Sequence, residues 1–294
     1  MIKGTALDFA AVIVIQVLYA IASLALISVG LAVIFGMMRV INFAHGEFLM
    51  MGGYTVILST HAGINRWVSM LVLAPLVVGL VGMLVEWLII RHLYGRVIET
   101  VLATWGLSLF LMGLATVTVG FYQEGILPPF GPVRIGAYKE GGYTFFVIGV
   151  TALILIGVYA LMRYTWFGLI ARGTMQNADM AAALGTDTRK VYALTFGFGA
   201  ALSGLAGAIM APISGVVPVV GMTYIAKAFI TVISGGATVL AGTVSAASLL
   251  GLVNQAVTFV TTPVIGEVAL LASAIVLLRI LPTGITGRFF RRGL

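Results

Sequence analysis

Cysteine is absent from the 294 residues, so the chain forms neither a disulfide nor a thiolate metal site. Histidine occurs only at His45, His61 and His92, and no H-E-x-x-H sets two imidazoles on one helical face for zinc. No G-x-S-x-G marks a nucleophile. The phosphate loop G-x-x-x-x-G-K-[ST] is missing as well; the nearest string, Gly236 to Thr243, lacks the lysine that would reach the β and γ phosphates. Charge is scarce, at 9% of positions, and the formal net charge of +7 comes from short basic patches rather than a stripe interleaved with aromatics. These absences weigh against a metalloenzyme, a hydrolase, an ATPase and a nucleic-acid partner.

Apolar residues are abundant instead. They fill 61% of the sequence, and the mean hydropathy of +1.15 lies outside the range of soluble domains. The fold class expected is therefore an all-α integral membrane protein, one polytopic helical bundle with broken or re-entrant segments. Charge-free runs at Phe9–Met38, Phe48–Ile64, Trp67–Val85, Thr100–Gln123, Gly141–Met162 and Val268–Pro282 each suit a crossing, for which roughly 20 apolar residues are needed. Two more, Val191–Ala226 and Ala228–Gly266, are too long for one span and divide around Pro212–Gly221 and Gly235–Gly242, giving about eight to ten spans. The first apolar stretch continues to Phe35 behind a neutral head, which predicts a retained helix rather than a cleaved signal.

Positive loops stay on the cytoplasmic side. Arg91 and Arg96 mark one such turn, Arg163, Arg172, Arg189 and Lys190 a longer one, and Arg288, Arg291 and Arg292 place the C-terminus inside. The loop from Glu124 to about residue 142, with Pro128, Pro129 and Pro132, is expected outside.

Polar groups at membrane depth are costly and mark function or structure. Arg39 to Tyr54 sets Asn42, His45 and Glu47 among residues otherwise suited to lipid. These three can line a translocation path, or they can lock a helix broken at Gly46 by bonding its free backbone groups. Two apart on a helix, His45 and Glu47 point in different directions. Arg39 can anchor at the headgroups or pair with Glu47. A second interruption, at Gly235, Gly236 and Gly242, mirrors the first with Gly46 and Gly52-Gly53, and paired breaks in two halves point to a binding region. The breaks at Ala44 and Ala237 are expected to approach each other. Asn254 and Gln255 are further candidates for the lining, or bond between helices.

Gly199, Ser203, Gly207 and Ala211 recur every fourth residue and form a small-residue face for close helix packing, within this chain or against another. In the loop at about 164–190, Arg172, Gln176 and Asn177 precede Asp179-Met180-Ala181 and a run of alanines. A short helix is expected there, with Asp179 near its positive end and Gly185 terminating it. It can be a docking element or an amphipathic helix on the membrane surface.

Asp179-Met180-Ala181 followed by Gly185 resembles the E-A-A-x-x-x-G loop by which permeases of ATP-binding-cassette importers engage their ATPases. Asp179 and Met180 replace Glu and Ala, and the downstream Leu-Pro is absent. Three further strings occur in the order seen in bacterial branched-chain amino acid permeases: Gly36 to Phe48, Leu184-Gly185 through Leu194-Thr195-Phe196, and Leu202-Ser203-Gly204-Leu205-Ala206-Gly207. Lys227-Ala228-Phe229 and Gly235-Gly236 are similar to that family's C-terminal part. The resemblance runs over nearly the whole chain and is nearest to the H-type subunit. It implies a bacterial inner-membrane permease, not itself an enzyme and with no cofactor of its own. It implies a second permease subunit, two cytoplasmic ATPases that hydrolyse ATP, a periplasmic binding protein and surrounding lipid as partners. Relatives carry branched-chain amino acids, urea, short amides or other small solutes. A self-sufficient channel or ion-coupled carrier, with Glu47 and His45 as a proton relay, is the alternative from a different class.

Overall fold

The computed structural model describes residues 6–236 and 238–290, the last three by their backbone alone. Ala237, Arg291, Arg292 and the side chain of Arg288, on which two of the expectations above rest, lie outside the described residues. The chain is helical almost throughout, because lipid cannot satisfy free backbone amides and carbonyls. In order come α1 (Ala6–Met38), α2 (His45–His61), α3 (Arg66–Val68), a π turn (Ser69–Leu73), α4 (Ala74–Leu88), a 3-10 turn (Ile90–His92) and α5 (Val97–Thr118). A hairpin of β1 (Pro132–Ile135) and β2 (Tyr138–Gly141) follows, then α6 (Gly142–Tyr164), α7 (Trp166–Gln176) and α8 (Ala178–Ala183). The chain continues through α9 (Thr188–Ser214), α10 (Val220–Gly235), α11 (Val239–Val260), α12 (Pro263–Ile280) and α13 (Gly284–Phe290).

Among the described residues seven runs are long and apolar enough to cross a membrane: α1, Arg66–His92, α5, α6, α9, α11 and Pro263–Gly287. Helices α2, of 17 residues, and α10, of 16, are shorter. Helix α9 continues through Pro212 and ends at Gly215, whose φ of 63° is open to glycine. The long C-terminal run turns not only at Gly235 but also at Thr261-Thr262, where the Thr262 hydroxyl accepts the Ile265 amide and Pro263 opens α12. The π turn sits just ahead of Pro75, the residue whose missing amide and bulky ring a regular helix would not accommodate.

The first interruption differs from the sequence expectation. Gly46, Gly52 and Gly53 lie inside a continuous α2; the backbone breaks upstream, between Met38 and His45, where Arg39 takes a left-handed φ of 52°. These glycines serve close approach instead. A Cβ on Gly46 would collide with the carbonyl of Gly221, and one on Gly52 with that of Gly204.

Internal contacts divide the described chain into two units. One comprises residues within Leu127–Leu155, Ile230–Leu294 and the start of α1 to Leu26. In it the hairpin turns at Gly136, and pairs Ile135 with Tyr138 and Pro132 with Gly141. Phe9 of α1 packs on Tyr138 and Phe259, and Gln16 bonds both Glu140 of β2, at 2.8 Å, and Gln255 of α11, at 3.1 Å. Gln255 thus bonds between helices.

The other unit, Ile27–Ile126 with Ile156–Phe229, is built around α9. Helices in lipid gain no hydrophobic drive from meeting each other, so close approach by small residues has to supply the association. On α9 the strip Gly199, Ser203, Gly207 and Ala211 is buried. Gly199 fits against Gly30 and Ile34 of α1, and Gly207 against the backbone of Leu49 in α2. Beside it, Gly204 and Ala200 meet Val78 and Gly82 of α4. The partners of the strip are helices of this chain. Phe48 and Phe196 meet edge to face with centroids 6.2 Å apart, inside a cluster with Ile34, Val78 and Leu111.

Candidate functional site

The interruption between α1 and α2 leaves backbone groups that lipid cannot bond, and side chains take them up. The Asn42 Oδ1 accepts the Ala44 amide at 3.0 Å, and Thr104 of α5 accepts the Phe43 amide at 3.1 Å. Asn42 and His45 are fully buried and Glu47 is 1% exposed.

His45 opens α2 and spends both ring nitrogens on protein. Nε2 lies 2.9 Å from the Ile27 carbonyl of α1 and Nδ1 3.1 Å from the Ser203 hydroxyl of α9. A carbonyl only accepts, so Nε2 carries the proton, and the neutral ring accepts at Nδ1 from Ser203. That hydroxyl also lies 2.9 Å from the Gly199 carbonyl, so its single proton is shared between the two acceptors.

Glu47 faces elsewhere, as the two-residue offset requires. Its carboxyl group bonds Ser108 of α5 and abuts Gly221 of α10, where an added Cβ would lie 2.7 Å from Oε1. Its Oε2 and the Nδ2 of Asn42 are buried with no bonding partner among the described residues. A group left so costs about 1–3 kcal/mol, which a water or solute would relieve. Arg39 is exposed and forms no ion pair with Glu47.

The second interruption is held in a comparable manner inside its own unit. Thr286 of α13 donates to the Gly235 carbonyl at 2.6 Å and accepts the Thr238 amide at 3.2 Å. Gly235 packs on Gly242, while Gly236, with a φ of 84°, packs on Thr283 and Gly284. Asn254 is half-buried on α11, its carbonyl against Gly266 of α12. Neither Thr104 nor Thr286 stood out in the sequence, because each acts about fifty or more positions away from the gap it fills.

Three capped helix starts organise the loop between α6 and α9. Thr165 accepts the Gly168 amide, Asn177 the Met180 amide and Asp187 the Lys190 amide. At its far end α8 closes with the Gly185 and Thr186 amides on the Ala182 and Ala181 carbonyls, and Gly185 takes a φ of 87°. Asp179 is exposed, Met180 is 58% exposed and Leu184 81%. Gln176 is exposed at the end of α7, and Ala181 is half-buried on α8. Arg172 donates to the Met162 carbonyl and so ties α7 back to α6. At Asp187 the Lys190 amide and ammonium hold the carboxyl below its ordinary pKa.

Residues 13–281 match the family described as branched-chain amino acid transport system, permease component. The high-affinity branched-chain amino acid transport system permease protein LivH of Salmonella typhimurium is 28% identical over 90% of this chain and 91% of its own length. The probable LivH permease of Methanocaldococcus jannaschii is 28% identical over 90% and 88%, and BraD of Pseudomonas aeruginosa 28% over 90% and 91%. No solved structure matches. With a multi-pass helical architecture and a family match that covers nearly its full length, the chain belongs to the permease components of branched-chain amino acid transport systems.

Proposed function

We propose that this chain is a permease subunit of an ATP-binding-cassette importer in a bacterial inner membrane. It forms the path for branched-chain or other small neutral amino acids together with a second permease, and it takes its power from two ATPase subunits that dock on α8. A binding protein on the opposite side delivers the solute, and the C-terminus lies on the ATPase side. The observation that carries this reading is α8 itself: a helix capped at both ends, projecting Asp179, Met180 and Leu184 into solvent, with no fully buried residue to account for that order. Deleting Asp179 to Gly185 is expected to abolish co-purification of the ATPase subunits while membrane insertion persists. Transport retained in that deletion would contradict the coupling role.

Within the path, Asn42 and Glu47 are assigned different work from His45. Nδ2 and Oε2 keep unspent hydrogen-bonding capacity that suits the ammonium and carboxylate of a passing amino acid. His45, with both nitrogens engaged by Ile27 and Ser203, is the structural member. The same bonding speaks against a His45–Glu47 proton relay. The substrate follows the names of the relatives, and a thermal-shift panel on the accompanying binding protein distinguishes leucine, isoleucine and valine from urea, amides and aromatic acids.

A further inference from the structure

A cavity of about 410 Å3 opens where α4 ends and α9 begins, lined by Arg91, His92, Tyr94, Thr188, Arg189 and Tyr192. Its back wall is the Tyr94–Tyr192 ring pair, with centroids 4.8 Å apart. Two arginines, a histidine and a threonine line it with the tyrosines, and of the carboxylates nearby only Asp179 of α8, within electrostatic reach of Tyr192, is not engaged. Glu86 is buried and accepts the Tyr94 hydroxyl at 2.5 Å, and Asp187 pairs with Lys190 at 3.2 Å. Among the described residues neither Arg91 nor Arg189 forms an ion pair. Arg91 lies over the face of Trp87, 4.8 Å from the ring centroid, a contact that leaves its N–H groups unspent in the guanidinium plane.

The surroundings are those of a membrane boundary. Leu84, Trp87 and Leu88 at the end of α4, and Val97, Ile98 and Leu102 at the start of α5, are all more than half exposed, as lipid-facing residues are. The basic cavity begins where that apolar surface stops, and a Trp at this level marks the headgroup layer. Forked guanidinium donors matched to tetrahedral oxyanions, in a basic pocket at the headgroup level, recognise phosphate.

We propose that this cavity is a binding site for a phosphate-bearing anion, its two arginines holding the phosphate oxygens, with the headgroup of an acidic phospholipid or free phosphate as the source. The site is separate from the solute path, and although Asp179 of α8 lies within electrostatic reach of Tyr192, it does not rest on the proposed coupling to ATPases.

The test is native mass spectrometry of the purified full chain in detergent, offered equimolar dioleoylphosphatidylglycerol and dioleoylphosphatidylcholine, with and without millimolar inorganic phosphate. The wild type is expected to retain the acidic lipid about five- to tenfold over the zwitterionic one. Arg91→Gln with Arg189→Gln should reduce the preference below about twofold, whereas Arg91→Lys with Arg189→Lys and the neighbouring Lys190→Gln should keep most of it. Persistence of the preference in added phosphate identifies the lipid as source; its loss, with phosphate adducts that require both arginines, identifies the free ion. An unchanged lipid ratio and no arginine-dependent phosphate adduct in the Gln double variant would overturn the proposal. So would loss of ATPase co-purification in that variant with the lipid ratio intact, which would make the cavity a protein contact.

Discussion

His45 and Ser203 stand 158 positions apart in the chain, yet Nδ1 of the imidazole and the serine hydroxyl are 3.1 Å apart. With Nε2 on the Ile27 carbonyl, one buried ring fastens the start of α2 to α1 and to α9 at once. His45→Ala therefore empties a packed site and removes both bonds, and is expected to cost about 2–4 kcal/mol. Ser203→Ala keeps the volume and should cost about 1 kcal/mol. Thermal unfolding of the purified variants in detergent checks this; a melting temperature for His45→Ala equal to the wild type would show that the ring fastens nothing.

Glycines divide into two classes that substitution should separate. Gly52→Ala and Gly207→Ala push a methyl group into the backbone of Gly204 or Leu49, which cannot rotate away, and each should destabilise by about 1–3 kcal/mol or more. Gly106→Ala and Gly113→Ala on α5 meet nothing within 4 Å and should be neutral or stabilising by up to about 1 kcal/mol. The ranking of four melting temperatures decides it.

Helix α8 depends on its caps, since it is too short to persist on propensity. Asn177→Ala, losing the bond to the Met180 amide, should weaken the helix by about 1 kcal/mol, and Gly185→Ala should add strain at its φ of 87°. Hydrogen exchange is the suitable measurement: protection of the Leu184 and Thr186 amides should fall while that of α9 holds.

The carboxyl group of Asp187 titrates below its unfolded value, so its contribution is present above about pH 4 and is lost as pH falls through the lower, folded value. Acid should therefore fray the first turn of α9, seen as faster exchange at the Lys190 amide. Asp187→Asn keeps a capping oxygen but should remove that pH dependence. An acid response that survives the substitution would place its origin elsewhere.

Sequence alone made the polar cluster at Asn42 to Glu47 and the α8 helix legible, each for a local reason. Ionisable side chains in an apolar run signal themselves, and alanines closed by Gly185 follow backbone propensity. The small-residue strip on α9 was legible as a packing face, but not its partners, because Gly30, Leu49 and Val78 carry no mark that they face it. Gly46 was misplaced as a break for a related reason: a glycine in a helix signals either a bend or a close approach, and only the neighbouring Gly221 backbone distinguishes the two. The turn at Thr262-Pro263 did carry a local signal, a capping threonine before a first-turn proline, which the length of the apolar run obscured. The paired strands Pro132–Ile135 and Tyr138–Gly141 are short and exposed, and leave little trace in hydropathy.

Uptake of labelled leucine into proteoliposomes tests the central claim most directly, comparing this chain alone with the chain assembled with its second permease, its ATPases, ATP and the binding protein. Accumulation against a gradient is expected only in the complete assembly, and only while ATP is hydrolysed. Sustained uphill accumulation by the chain alone would contradict the account.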